Sequence, residues 1–140
     1  TLDERIASTL EPGAPPPIKR LDTMRKCKEA GFLTGLNCIP TLPYISDSES
    51  ELEAMVAKAK EYGADYILIG GLTLFGNGPA DSKTLYFRFL ERMFPHLISD
   101  YEKMYGKFFM PPRHYLKELD SRADRLCKRY NIRRSILHGI

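Results

Sequence analysis

Apolar positions along the chain follow two rhythms: helical spacings of three and four, and short unbroken runs. Four prolines lie between Pro12 and Pro17 and exclude regular helix there. Beyond them Ile18, Leu21 and Met24 share one helical face, which Cys27 extends. Pro17 suits the first turn of that helix, and Gly31 suits a left-handed stop after Ala30. Residues 32–39 form a short, mainly apolar run that reads as a strand ended by Pro40 and Pro43. Ser48 and Glu51 then spell a capping box. Leu52, Met55, Val56, Ala59 and Tyr62 keep helical spacing until Gly63. Tyr66-Ile67-Leu68-Ile69 is uniformly apolar, as in a parallel strand buried on both faces.

Gly70, Gly71, Gly76, Gly78 and Pro79 mark a loop after this run. Asp81 or Ser82 caps a further helix through Phe94, with Leu85, Phe89 and Met93 inward and Pro95 as its stop. Residues 97–105 read as helix up to Gly106. Pro111 and Pro112 open the last helix, whose stripe is Leu116, Leu119, Ala123, Leu126 and Tyr130. Residues 1–16 read as irregular, with a short turn between Asp3 and Leu10. Strand, helix and strand within ~40 residues make a βαβ unit with a right-handed crossover. The expected fold class is α/β: a partial (β/α) barrel fragment with parallel strands in residues 1–96 and a helical extension in 97–140. Two strands cannot close a barrel, and a parallel pair leaves open edges. The pattern therefore calls for missing N-terminal strands, or for self-association through the exposed edges.

Length and composition narrow the class. A chain of 140 residues with 43% hydrophobic and 28% charged residues has the makings of one globular core, which argues against disorder. No apolar run approaches the ~20 residues that span a bilayer. Thr1-Leu2-Asp3-Glu4-Arg5 is polar and acidic where a secretory signal is basic and then apolar. The start without Met suggests an internal fragment or a trimmed end. Cys27, Cys38 and Cys127 are odd in number, far apart and free of any Cys-x-x-Cys spacing, so a reducing cytoplasm is expected. Charge is split along the chain: residues 1–100 carry 11 Lys and Arg against 14 Asp and Glu, while residues 101–140 carry 10 against 4. Lys103, Lys107, Arg113, Arg122, Arg125, Arg129, Arg133 and Arg134 are either the solvated face of a helix or a contact for an anionic partner such as nucleic acid.

Leu10-Glu11-Pro12, the prolines after it and Arg20-Leu21, followed by a helix to Ala30-Gly31, a strand and Pro40-Thr41-Leu42-Pro43 with Asp47 beyond, form an ordered set. Such a sequence of loop, helix, strand and loop resembles the rim of a (β/α) barrel, where barrel enzymes place their chemistry. The set also resembles the C-terminal half of a radical S-adenosylmethionine (SAM) enzyme of the spore photoproduct lyase-like, or DNA repair photolyase-like, group. The resemblance covers roughly residues 1–100. It implies a parent that holds SAM and a [4Fe–4S] cluster, cleaves SAM reductively and abstracts a hydrogen atom from substrate. The protein's part would be to orient SAM and keep the radical from water. The group's three-cysteine motif and the Gly-Gly-Glu-like segment after its second strand are both absent from this sequence. The three cysteines do not have the spacing of a cluster loop. The resemblance therefore implies a piece that holds neither cofactor firmly and is inactive without a missing N-terminal half-barrel.

The same resemblance assigns candidate cofactor-binding residues. Arg20 pairs with the SAM carboxylate or is a surface arginine at a helix start. Glu11 accepts hydrogen bonds from the SAM ribose or ammonium, or orients the proline loop. Thr41, Leu42 and Pro43 form an apolar wall against adenine, or a plain connection. Gly71, Leu72 and Thr73 read the adenine edge through the backbone, or pack closely. No catalytic residue is assigned. His96, His114 and His138 lack zinc spacing. Asp100, Tyr101 and Tyr105 read as packing and surface groups; Tyr86 and Phe87 face a substrate or belong to the core. The glycines at 70–78 lack the Lys-Ser/Thr ending of a phosphate loop. A rival reading from another class is a small non-catalytic binding or assembly module whose basic C-terminal helix contacts nucleic acid.

Overall fold

Asp3 opens the first element of the structure, a computed structural model that describes residues 1–137. Its carboxylate accepts hydrogen bonds from the Arg5 and Ile6 amides at 2.8 and 3.1 Å and so caps α1 (Glu4–Leu10). The expected turn at 3–10 is thus a helix, because this cap and the burial of Ile6 and Ala7 supply what local propensity does not. The proline loop follows, and α2 (Pro17–Glu29) starts with Pro17 in its first turn. Of its expected apolar face only Leu21 is buried; Ile18 stays 44% exposed.

Strand β1 (Gly35–Thr41) begins later than expected and runs through Pro40 instead of stopping there. The Ile39–Pro40 peptide bond is cis. Proline is tolerated because the pairing with β2 is irregular at this point, between Cys38 and Thr41. Helix α3 (Glu49–Glu61) crosses over, capped by Ser48, whose hydroxyl accepts the Glu51 amide at 3.2 Å. Gly63, with φ +82, turns the chain out of it. Strand β2 (Tyr66–Gly71) then pairs with β1 in parallel, in register from Gly35 opposite Tyr66 to Cys38 opposite Ile69. The register shifts between Cys38 and Thr41.

The remaining elements are α4 (Ser82–Met93), a 3-10 turn η1 (Pro95–Leu97), α5 (Ile98–Tyr105) and α6 (Arg113–Arg129). The fold class is therefore mixed α/β, with six helices and a two-stranded parallel sheet among the described residues. In α4 the inward residues are Tyr86, Phe89 and Leu90; Leu85, expected inside, is 49% exposed. The Asp81 carboxylate does not cap α4 but accepts the Gly78 amide at 2.7 Å. After α6, the Arg133 carbonyl accepts the Ile67 amide at 2.8 Å, and Arg133 forms an isolated parallel bridge with Tyr66 on the far side of β2.

Helices α3 and α6 cover one face of the sheet. That face buries Ile67 and Ile69, with Leu36 and Cys38 beside them in register. The opposite face, which carries Asn37, Ile39, Leu68 and Gly70, has no covering layer among the described residues: Ile39 is 51% exposed. The expectation of β2 buried on both faces thus fails, because these elements supply a layer on one side only. A continuous core joins Leu52, Val56 and Ala59 through the sheet to Tyr101, Tyr105, Leu119, Ala123 and Leu126. The split in charge folds back on itself. Arg125 pairs with Glu49 at 2.8 Å and Arg129 with Glu53 at 2.9 Å, while Arg134 pairs with both Asp120 and Asp124 at 2.7 Å. No helix among the described residues is long and apolar enough to cross a membrane.

Candidate functional site at the carboxyl ends of the strands

Both loops that leave the carboxyl ends of β1 and β2 are tied down by tyrosines. Tyr101 donates to the Pro43 carbonyl at 2.6 Å, and its hydroxyl lies 3.0 Å from that of Tyr86. Tyr105 donates to the Leu72 carbonyl at 2.8 Å. Tyr115 donates to Oδ2 of Asp47 at 2.8 Å, while Arg122 donates to the Asp47 carbonyl. All four tyrosines and Asp47 are buried. A buried phenol needs a hydrogen-bond partner, and a buried loop carbonyl needs a donor, so each bond satisfies two groups at once. Burial holds the Tyr86, Tyr101, Tyr105 and Tyr115 phenols above the ordinary tyrosine value. They are neutral clamps at physiological pH. Tyr44, next to Pro43, adopts a left-handed backbone with φ +61 and sets its exposed ring edge-on to Tyr101, centroids 6.1 Å apart.

A groove of about 340 Å³ runs along β1, walled by α1 and α2 and bordered at its upper end by Leu42, Leu72 and Tyr86. The volume lies at the low end of the ~300–1,000 Å³ usual for small-molecule sites. Glu11 and Arg20 stand on its rim and hold each other in a two-pronged pair, at 2.8 Å for Nη2 and 3.2 Å for Nη1. Arg20 Nε also donates to the Pro15 carbonyl at 2.8 Å, so this pair fixes the proline loop. The Arg20 hydrogen bond lowers the Glu11 carboxyl, and the same bond raises the guanidinium. Three of the five guanidinium N–H donors are used in this way, which leaves two.

Of the residues singled out in the sequence, Glu11, Arg20, Leu42 and Leu72 therefore meet at one groove. Thr41 and Pro43 are buried beside Leu42, with the Thr41 hydroxyl donating to the Cys38 carbonyl at 3.2 Å. Gly71 lies apart, under Leu116 of α6, where a Cβ would come within 2.7 Å of the leucine methyl. This is the close-packing alternative for that glycine. Thr73 is exposed and does not border the groove. Tyr101 and Tyr105, read from the sequence as packing and surface groups, are buried hydrogen-bond donors. Tyr115 and Asp47 had no role assigned. The signal for them was the presence of tyrosines at core positions of α4–α6, where a purely apolar stripe would serve packing better.

The residues present do not fit an iron–sulfur cluster. Among the described residues no group of three His, Cys, Asp or Glu side chains comes together to hold a metal. Burial pushes the Cys38 thiol up to about 12, so it is a neutral thiol at physiological pH. His96 and His114 are exposed, and His138 lies outside the described residues.

Comparison with known proteins gives relatives but no activity. No family model matches the chain, and no solved structure does. An uncharacterised protein of Acidianus two-tailed virus is 37% identical over 70 residues, which is 48% of this chain and 23% of that protein. Uncharacterised proteins of Mycobacterium tuberculosis and Mycobacterium bovis are each 26% identical over 130 residues, 93% of this chain and 37% of theirs. The chain thus spans 23% to 37% of the length of these curated relatives.

Proposed function

We propose that the chain is the C-terminal part of a radical SAM partial barrel of the spore photoproduct lyase-like group. In this reading it supplies one wall of the SAM and substrate pocket and is inactive alone. The observation that carries the reading is the pair of tyrosine-clamped loops at the carboxyl ends of two parallel strands. That is the end where parallel α/β enzymes bind their ligands, and a rigid frame there keeps a site in its productive geometry. Leu42 and Leu72 offer apolar surface to adenine. Two N–H groups of Arg20 remain for the SAM carboxylate, and Glu11 holds the guanidinium in place beside the groove. When bound in the parent, SAM with its cluster supplies the radical chemistry. This chain's residues only hold, orient and shield. The cluster ligands belong to polypeptide outside this sequence, in keeping with relatives that are far longer.

The test is SAM cleavage by two proteins, the isolated chain and the full product of its gene, each reconstituted anaerobically with iron, sulfide and a reductant. Chromatography for 5′-deoxyadenosine should find it only with the full product. Cleavage by the isolated chain, or a full product that takes up no cluster, would sink the reading.

A further inference from the structure

The connection between α5 and α6 carries apolar side chains where solvent reaches them. Residues 106–110 are all exposed, Phe108 to 65%. Phe109 and Met110 follow it, and Phe75, exposed in the loop after β2, stacks on Phe109 with ring centroids 5.1 Å apart. A slack loop would turn such groups inward, but this one is held out by its backbone. The Leu74 amide donates to the Phe109 carbonyl at 2.7 Å. The Lys83 ammonium donates to the Tyr105 and Phe108 carbonyls at 2.7 and 3.3 Å. Exposed apolar patches of this kind mark contacts with partners or with membranes. Cations frame the tip. Lys107 and Arg113 are exposed and stand in no ion pair among the described residues. From Lys103 to Lys117 the sequence holds no Asp or Glu. The Asp81 carboxylate, in the loop of Phe75, is turned to the Gly78 amide.

We propose that residues 106–110 with Phe75 form a docking tip for an anionic lipid surface. Phe108, Phe109 and Met110 enter the boundary between headgroups and acyl chains, while Lys107 and Arg113 meet the lipid phosphates. Such a contact needs no spanning helix, and each cation at the surface strengthens it where the lipids are acidic. A second copy of the chain fits the tip less well, because two tips face to face bring Lys107 and Arg113 of both copies together. A nucleic acid also fits less well. Phe75 and Phe109 each give one ring face to the other, and residues 108–112 contain no side chain that could hydrogen-bond a base or a sugar. The inference does not depend on the SAM reading.

Vesicle co-sedimentation of the full gene product tests this, with phosphatidylcholine alone and with phosphatidylcholine plus phosphatidylserine. The protein should bind the mixed vesicles, and about tenfold more weakly those without phosphatidylserine or at high salt. Phe108→Ser with Met110→Ser should abolish the binding. Lys107→Gln with Arg113→Gln should lower it about tenfold on the mixed vesicles only. All four positions are exposed, so the unfolding midpoint should stay where it was. Failure to bind the mixed vesicles would overturn the proposal. So would binding that both double variants leave unchanged, since another surface would then carry it. Binding of labelled single-stranded DNA that Phe108→Ser removes, without vesicle binding, would make nucleic acid the occupant. A dimer that the same substitution dissolves would make it a second copy, and either result overturns the proposal. None of these outcomes bears on SAM cleavage.

Discussion

At the scale of single residues, two kinds of polar bond hold the upper rim, and they respond differently to substitution. The Glu11–Arg20 pair is exposed, with side chains 52% and 40% accessible, so it adds less than about 1 kcal/mol to stability. Its effect is to position the proline loop. Because Arg20 lowers the Glu11 carboxyl in the folded chain, that contribution is present above the ordinary glutamate value and is lost as pH falls through the depressed one. In Arg20→Ala the Glu11 carboxyl should titrate upward toward the free value, as read by NMR of the labelled carboxyl carbon. An unmoved midpoint would show that the pair does not form. The tyrosine clamps are buried and matter more. Tyr101→Phe leaves the Pro43 carbonyl without its donor and should cost ~1–3 kcal/mol in denaturant unfolding. The raised phenols have the opposite sign: their contribution is intact below the unfolded tyrosine value and is lost as pH rises above about 10. Little of this was legible in the sequence. A tyrosine at a helical core position looks like packing until the fold shows which carbonyl it meets, and a proline loop does not reveal that its two charged residues satisfy each other.

At the scale of elements the sequence was far more readable. The spacing of Leu52, Val56 and Ala59 with a Ser48 cap specified α3, and the stripe of Leu119, Ala123 and Leu126 specified α6. Short elements were less legible. Helix α1 depends on an aspartate cap and two buried residues, too weak a pattern beside four prolines. The burial of β2 was misjudged because an apolar run does not say how many layers will cover it. The basic surplus of the C-terminal part was also ambiguous until α3 and α6 came together. Glu49 and Glu53 now hold Arg125 and Arg129, which weakens the view of α6 as a nucleic-acid contact. Glu49→Gln with Glu53→Gln frees both guanidinium groups. Binding of labelled single-stranded DNA at low salt should rise in this variant and be weak in the parent chain. Strong binding by the parent, falling steeply with salt, would restore that view. A steric test belongs here too. A Cβ at Gly35 would overlap the Tyr66 ring across the sheet, so Gly35→Ala should displace that ring and lower the unfolding midpoint.

At the scale of the whole molecule, one face and one edge of the sheet stand open while the loops above are fixed. Two parallel strands with helices on one side do not make a finished α/β layer, since such sheets are ordinarily covered on both faces. The bridge between Arg133 and Tyr66 lies at the far edge of β2, and the groove runs beside β1. That an edge of the sheet stays open was readable from the count of strands. The position of the open edge was not, because it depends on where α1 and α2 stand. The coding sequence directly upstream of Thr1 tests the central claim most directly. The account predicts an in-frame Cys-x-x-x-Cys-x-x-Cys motif about 100 or more residues before it, in a gene whose product is comparable in length to the mycobacterial relatives. A start codon at or just before Thr1 would contradict it, and the catalytic reading would then give way to binding or assembly.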